Sequence, residues 1–460
     1  MGIKQVKVEA NEITIGMFVS GLDRPWTQTP FPLQGFYVRN SEEVRELGRH
    51  CKHVFIDVSK GSAPIKTDLK KLTPKQVLSQ RGQRKEFRAK LVDVAPIKIR
   101  HNVYSAAVAP VNKEISGARE LHLELHEAIS RIVKSLEQGQ QNVSVHEAKR
   151  AASSMVDSIL RCPDAFTWLS RVRDKDEHTY AHAMRSAVWA ILFGRHIGLS
   201  KADLDTLALG VLLKDIGKTR LPKHLLERAD LVGEEKEAYE QFVQYGAEIL
   251  AEMPDIQPRV VSVVKTHCER VNGSGFPAHI KGDRIPLLGK IAGIVTFYDE
   301  VTNPRGQKPL SPSRAVAKLY ELRDSAFQND LVVEFIRAIG LYPTGTLVEL
   351  STGEVAVVVE QNFSRRLKPK VMVVSDSLKN SLPEPYLLDM ERDDAEKQAK
   401  VDSGKVSASD VERIDIVQDL EPWAYDVDVT EVRDQYMDKS GSSKLFSFLK
   451  KPKIGSFLGG

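Results

Sequence analysis

The chain has 460 residues, with 66 Lys+Arg against 62 Asp+Glu, 42% apolar and 28% charged residues, and three cysteines. That length suffices for roughly two to four domains with real cores, and the composition excludes collagen-like, wholly disordered and disulfide-framework proteins. A formal net charge of +4 predicts no nucleic-acid partner by itself. The opening stretch MGIKQVKVEANEITIG has no apolar core of the secretory type, and runs such as LALGVLL are too short for a bilayer. Cys51, Cys162 and Cys268 lack metal-type spacing, so the expectation is a soluble, cytoplasmic protein.

Residues 1–60 read as a small α+β domain, in which KQVKVEA, GMFVSGLD, GFYVRN and HVFIDV are strands around the helix SEEVRELGRHC. Ser41 suits the N-cap of that helix, with Glu42 and Glu43 in its first turn. Residues 61–110 turn polar and basic and read as a linker.

Helical periodicity dominates 111–342. Leu121, Leu125, Ile129, Ile132 and Leu136 form one amphipathic stripe. Further helices are expected near 145–160, 178–197, 201–214, 234–253, 256–268, 287–302 and 313–340, an all-α domain. From 343 to 390 the period becomes two, and TLVEL, EVAVVVEQN and KVMVVSD predict an antiparallel β meander. Residues 391–460 read as a mostly disordered tail, acidic and then basic. Residues 439–460 hold five Lys and no acid, so the rest of the chain is slightly acidic. With Leu445, Phe446, Phe448 and Leu449 in it, that end could touch anionic lipid or an acidic partner. Neither basic segment shows the aromatic interleaving of a strand-binding surface, so no nucleic acid is expected.

Four segments of the helical domain belong together: HTYAHAMRSAVW, LLKDIGK, KTHCERVNGSGFP and IPLLGKIAGIVTFYDEVTN. In their order and spacing the chain resembles the HD-GYP family of bacterial HD phosphohydrolases over roughly 145–340. HCERVNGSGFP, similar to the family's HHERxDGSGYP, is its most specific part. Residues 1–60 and 343–390 look like accessory regions of one HD-GYP subgroup. The resemblance implies an HD-type helical core in which His and Asp side chains hold two or three metals, often iron or manganese. A metal-bridging hydroxide there attacks a phosphorus of cyclic di-GMP.

Carried over position by position, the resemblance keeps His182, Asp215 and His267 as ligand positions. It finds Lys214, Phe242, Cys268 and Thr296 where the family has ligands. Phe and Thr are poor donors, lysine binds a metal only when deprotonated, and Cys268 could bind as a thiolate. The resemblance therefore implies a dismantled metal site, with no cofactor expected, or iron or manganese if activity remains. Asp215 and Lys218 are the remnant of the catalytic group.

Lys214 lies in the apolar helix DLDTLALGVLLKD, which should be buried. Two readings are open: the ammonium fills the vacated cation space beside Asp215, or it snorkels out at the helix end. His178 stands one turn before His182, a spacing that can bind a metal or simply start a helix. His196, His224 and His279 have no ligand-like company in the sequence.

The GSGFP loop is better kept than the metal positions. Gly273 and Gly275 permit unusual backbone, Pro277 stiffens the exit, and Phe276 replaces the family's Tyr. Arg270, Lys218, Arg305 and Lys308 could meet phosphates without a metal, or be solvated charges.

The expected function is a non-catalytic HD-GYP-like signalling or interaction protein in cyclic di-GMP regulation. The alternatives are a phosphodiesterase with a reduced metal site and a metal-free cyclic di-GMP receptor. In the family the GYP loop also contacts diguanylate-cyclase domains, so such a protein partner is expected at 272–277.

Overall fold

Val6 and Val8 alternate with the exposed Lys7 and Glu9 in Gln5–Glu9 (β1), the period of a strand with one covered face. This strand belongs to the first of two units, Met1–Leu91 and Val92–Gly460. The computed structural model describes residues 5–24, 36–38, 41–57, 95, 97, 99–101, 103–104, 109–140, 143–170, 178–228, 230–362, 365–403, 406–407, 411–421 and 424–439.

In the first unit, β1 joins Phe18–Leu22 (β2), Phe36–Tyr37 (β3) and His53–Asp57 (β4) in an antiparallel sheet of order β1-β4-β2-β3. Val8 pairs with Val54 and Val6 with Ile56, so the apolar positions share one face. The helix Ser41–His50 (α1) adds the buried Leu47 to the core of Val8, Val19, Val54 and Ile56. Most of the stretch read as a basic linker lies outside the described residues.

The second unit begins its helices with Val111–Glu137 (α2), which buries Leu125, Ile129 and Ile132 of the expected stripe and leaves Leu121 and Leu136 half-buried. There follow His146–Arg161 (α3), Pro163–Ser170 (α4), His178–His196 (α5) and Lys201–Leu212 (α6). The Ser200 hydroxyl caps α6 by accepting from Asp203 N at 3.2 Å. α5 packs against α4, α6 and two later helices, Leu287–Thr302 (α11) and Asn329–Ile339 (α13). Its Ala183, Ala187, Ala190 and Ile191 are accordingly buried together.

Between α6 and α11 run Lys223–Glu227 (α7), Gly233–Glu240 (α8), Phe242–Ala251 (α9) and Pro258–Thr266 (α10). Pro312–Glu321 (α12) precedes α13. The helix expected over 234–253 is thus two, broken at Gln241. The one over 313–340 is also two, because Asp324 takes a positive φ and a bridge pairs Arg323 with Phe327. Among the described residues no helix is long and apolar enough to cross a membrane.

Leu347–Leu350 (β5), Val355–Glu360 (β6), Lys370–Ser375 (β7) and Ser381–Asp389 (β8) form the expected antiparallel meander. Val355 to Val359 are buried on both faces of the sheet. Trp168 of α4 donates from Nε1 to the Val359 carbonyl at 2.9 Å, and Thr344 donates to the buried Asp164, fastening sheet to helices.

The chain beyond 390 corrects the reading of a mostly disordered tail. Met390–Asp402 (α14), Ile416–Asp419 (β9) and Val429–Lys439 (α15) are folded there. β9 pairs with β5 and completes the order β8-β7-β6-β5-β9. The partner strand β5 would otherwise present unpaired backbone groups, so even a strand with one buried side chain, Ile416, is recruited. Val432 and Tyr436 of α15 are buried one turn apart, and Tyr436 donates to Glu360 at the end of β6. Residues 440–460, with their lysines, lie outside the described residues.

Candidate functional site

α6 ends at Leu212 and the chain turns through Lys214 and Asp215 into a 3-10 turn, Ile216–Arg220. Gly217 makes this turn possible against α9. A Cβ there would lie 1.9 Å from the Phe242 carbonyl oxygen, so no larger residue fits. This close approach sets the Lys218 ammonium 5.0 Å from the Phe242 ring centroid, a cation–π contact.

Lys214 does not snorkel out. Its side chain is 1% exposed and its ammonium donates to Asp215 Oδ2, while Lys218 holds Oδ1 at 2.7 Å. Burial alone would raise the Asp215 carboxyl, but Lys214 and Lys218, with His182 nearby, hold it well below the usual carboxylate range. Burial likewise opposes the Lys218 charge, yet Asp215 and Tyr239 raise its pKa above that of an ordinary lysine. The group is one carboxylate between two ammoniums.

His267 caps the end of α10. Burial, reinforced by the Lys214 charge, pushes its imidazole down to about 3, so it is neutral at ordinary pH. Its Nδ1 lies 2.7 Å from the Val264 carbonyl, which can only accept. The proton therefore sits on Nδ1 and the lone pair on Nε2. Phe242 packs edge-on against this ring, with centroids 6.0 Å apart, and against Phe276 at 6.2 Å. Burial pushes the neighbouring Cys268 thiol up to about 12, which keeps it protonated. Thr296 of α11 is buried, and its Oγ1 finds no hydrogen-bond partner among the described residues.

Asp299, one turn after Thr296, is a candidate site residue that sequence reasoning missed. It is fully buried and accepts from Arg185 Nε at 2.8 Å, Asn303 Nδ2 at 3.1 Å and His182 Nδ1 at 2.6 Å. Burial would raise its carboxyl, but Arg185 and His182 hold it below the ordinary value. A carboxylate fixing one imidazole nitrogen orients the other for metal or proton work. The signal was available: an Asp inside the apolar run IAGIVTFYDEV, and an Arg inside HAMRSAVW, each need a buried partner.

The backbone of the GSGFP loop is tightly constrained. Gly273 takes φ 81°, and a Cβ on Gly275 would meet the Cys268 carbonyl oxygen at 2.3 Å. Phe276 turns inward onto Leu221, Phe242, Val243 and Cys268, and a cis peptide bond leads into Pro277. Asn272 and Ser274 are the exposed side chains of the loop.

Of the cations expected to meet phosphates, Arg270 donates to the carbonyls of His267 and Glu269 and lies over the Phe327 ring. Arg305 donates to the Leu226 carbonyl, and Lys308 pairs with Glu421 at 3.0 Å. Lys218 alone of the four touches Asp215. The His178 side chain lies outside the described residues. His196, expected to be without ligand-like company, in fact faces Glu334 at 2.8 Å.

Comparison with known proteins matches two regions of the chain. A family model described as an HD domain matches residues 170–331, and a domain of unknown function (DUF3391) matches residues 5–148. A cyclic di-GMP phosphodiesterase of Pseudomonas aeruginosa is 28% identical over 427 residues, covering 91% of this chain and 93% of that protein. A 3'3'-cGAMP-specific phosphodiesterase of Vibrio cholerae is 29% identical over 167 residues, 35% of this chain and 31% of its own length. A solved HDG"Y"P protein from Bdellovibrio bacteriovorus aligns with TM-score 0.43 and 14% identity over 72% of this chain and 98% of that one.

Proposed function

Given that this chain is an HD-GYP-like protein with an HD domain, we propose that it serves cyclic di-GMP signalling as a non-catalytic module. In it Lys214 stands at a position where the family resemblance implies a metal ligand. The Lys214–Asp215 ion pair, 1% and 7% exposed, carries this reading.

The donor set does not suit a two-metal centre. Asp215 is already shared by two ammoniums, Phe242 has no donor atom, and Cys268 is held as the thiol. A dication about 4 Å from either ammonium would be repelled by roughly 8 kcal/mol at an effective dielectric of about 20. Neutral His267 and the Asp-oriented His182 keep two good nitrogens, but two nitrogens and one ion-paired carboxylate leave the site short of ligands.

A second reading is favoured by the same charges. One carboxylate against Lys214 and Lys218 leaves a net positive group, which suits an anion and hence a metal-free receptor for cyclic di-GMP. In either case the GSGFP loop offers a protein partner, such as a diguanylate-cyclase domain, its exposed Asn272 and Ser274.

Incubation with cyclic di-GMP and iron or manganese tests the proposal. The expected result is no linear or mononucleotide product above an Asp215→Ala control. Turnover above that control would restore the reduced-site phosphodiesterase. Calorimetric titration with cyclic di-GMP separates receptor from interaction module.

A further inference from the structure

We propose that His101, His196 and Glu334 form a zinc-type metal site, built from residues outside the Asp215 group. They come from three elements: the segment before α2, the last turn of α5, and α13. Their ligand atoms all lie within 4.8 Å of one another. His196 Nε2 is 2.8 Å and His101 Nε2 3.7 Å from the same oxygen, Glu334 Oε2. The two imidazoles meet edge to face with centroids 5.2 Å apart, and each turns its Nε2 toward the same carboxylate oxygen.

The surroundings prepare these side chains for an ion. Glu334 is 5% exposed, and its other oxygen accepts from Arg337 at 2.6 Å. Arg337 fixes the carboxylate and leaves Oε2 as a single-oxygen donor, as outer partners of metal ligands do. The segment carrying His101 is docked independently of the cluster. Arg100 N donates to the Ile197 carbonyl at 3.2 Å, and the Tyr104 hydroxyl donates to the Leu199 carbonyl at 2.6 Å. Gly198 permits this docking, because a Cβ there would lie 2.1 Å from the Arg100 carbonyl oxygen.

Two imidazoles and one carboxylate are the donor set of an open zinc site, with water as the fourth ligand. Oxygen-seeking calcium and magnesium are poorly served by two nitrogens. Ligand bonds of about 2.0–2.1 Å require donors about 3.3 Å apart, so His196 and Glu334 separate slightly and His101 closes in. His101 is exposed and His196 half-buried, which gives an ion an open approach. The bound metal would staple the segment around His101 to the ends of α5 and α13.

Cobalt(II), a coloured stand-in for zinc, tests the site on the full 460-residue chain. The expected result is one cobalt per chain with a tetrahedral visible spectrum, displaced by zinc. That spectrum is lost in His101→Ala and Glu334→Gln and retained in His267→Ala. Zinc also raises the melting temperature of the wild type and not that of His101→Ala. Because His101 is exposed, its substitution leaves the core intact, and this variant decides the question. No cobalt spectrum in the wild type, or one unchanged in His101→Ala, would overturn the proposal.

Discussion

Lys214 sets its ammonium against the carboxylate of its own neighbour, Asp215, and both side chains are buried. Adjacent residues can meet this way because the chain leaves α6 at Leu212 and turns before the 3-10 turn begins. Lys218 completes the group from the other side at 2.7 Å.

Removing either kind of charge from this group should have unequal effects. Asp215→Asn leaves the buried Lys214 and the half-buried Lys218 without a counter-ion, and a loss of about 3–5 kcal/mol is expected. Lys214→Met leaves Asp215 paired with Lys218 and should cost markedly less, about 0–2 kcal/mol. Urea unfolding of the two variants checks the order.

Acid should act through His267. Its folded pKa, about 3, lies below the unfolded value of about 6.5, so the unfolded chain binds its proton first. The stability it contributes is fully present above about pH 6.5 and is lost toward pH 3, at up to about 1.4 kcal/mol per pH unit. Asp215, also depressed, adds a loss only as the pH falls below about 4. Asp164 works the other way. Burial raises it to about 6, so its contribution is complete below about pH 3.9 and is lost as the pH rises through 6. His267→Gln should therefore flatten the fall in stability between pH 6 and 4.5, and Asp164→Asn should steepen it, both read from urea midpoints.

Asp299→Ala strands the buried Arg185 and removes the carboxylate that orients His182. A loss of about 3–5 kcal/mol is expected, and Arg185→Met together with Asp299→Leu should recover much of it. Thermal unfolding of the single and double variants measures the coupling.

In the GSGFP loop, Gly275→Ala drives a methyl into the Cys268 carbonyl. A loss of about 1–3 kcal/mol is expected, with any partner binding at the loop lost as well. Ser274→Ala, on the exposed tip, should leave stability unchanged.

Ending the chain after Ser403 removes β9 and α15. The β5 edge and the Val432 and Tyr436 contacts are then lost, so lower solubility and a lower melting temperature are expected. A chain ending after Lys439 keeps these elements and should melt above the Ser403 truncation.

These cases also mark what could be read in advance. The helical core and the meander were legible because long stretches keep a period of 3.6 or of 2, and burial follows that period. β9 was not, since IVQD buries only Ile416, and α14 was not, since MERDDAEKQAKVD buries only Met390 and Asp394. Both are held by their neighbours rather than by their own pattern. Lys214 beside Asp215 was one of two readings the sequence left open, because a charge at the end of a mostly apolar helix either finds a buried partner or snorkels out. Asp299 met the same criterion and was passed over for Thr296, one turn away. The company of His196 carried no local signal, since Glu334 lies 138 positions along the chain.

The central claim is that Lys214 holds the place of a cation at Asp215. Metal content after reconstitution with iron(II) or manganese(II) tests it most directly, measured in the His101→Ala background so that only the Asp215 group is counted. The account predicts far less than one ion per chain, unchanged by the further substitution Asp215→Ala. Two tightly held ions per chain, lost with Asp215→Ala, would contradict it.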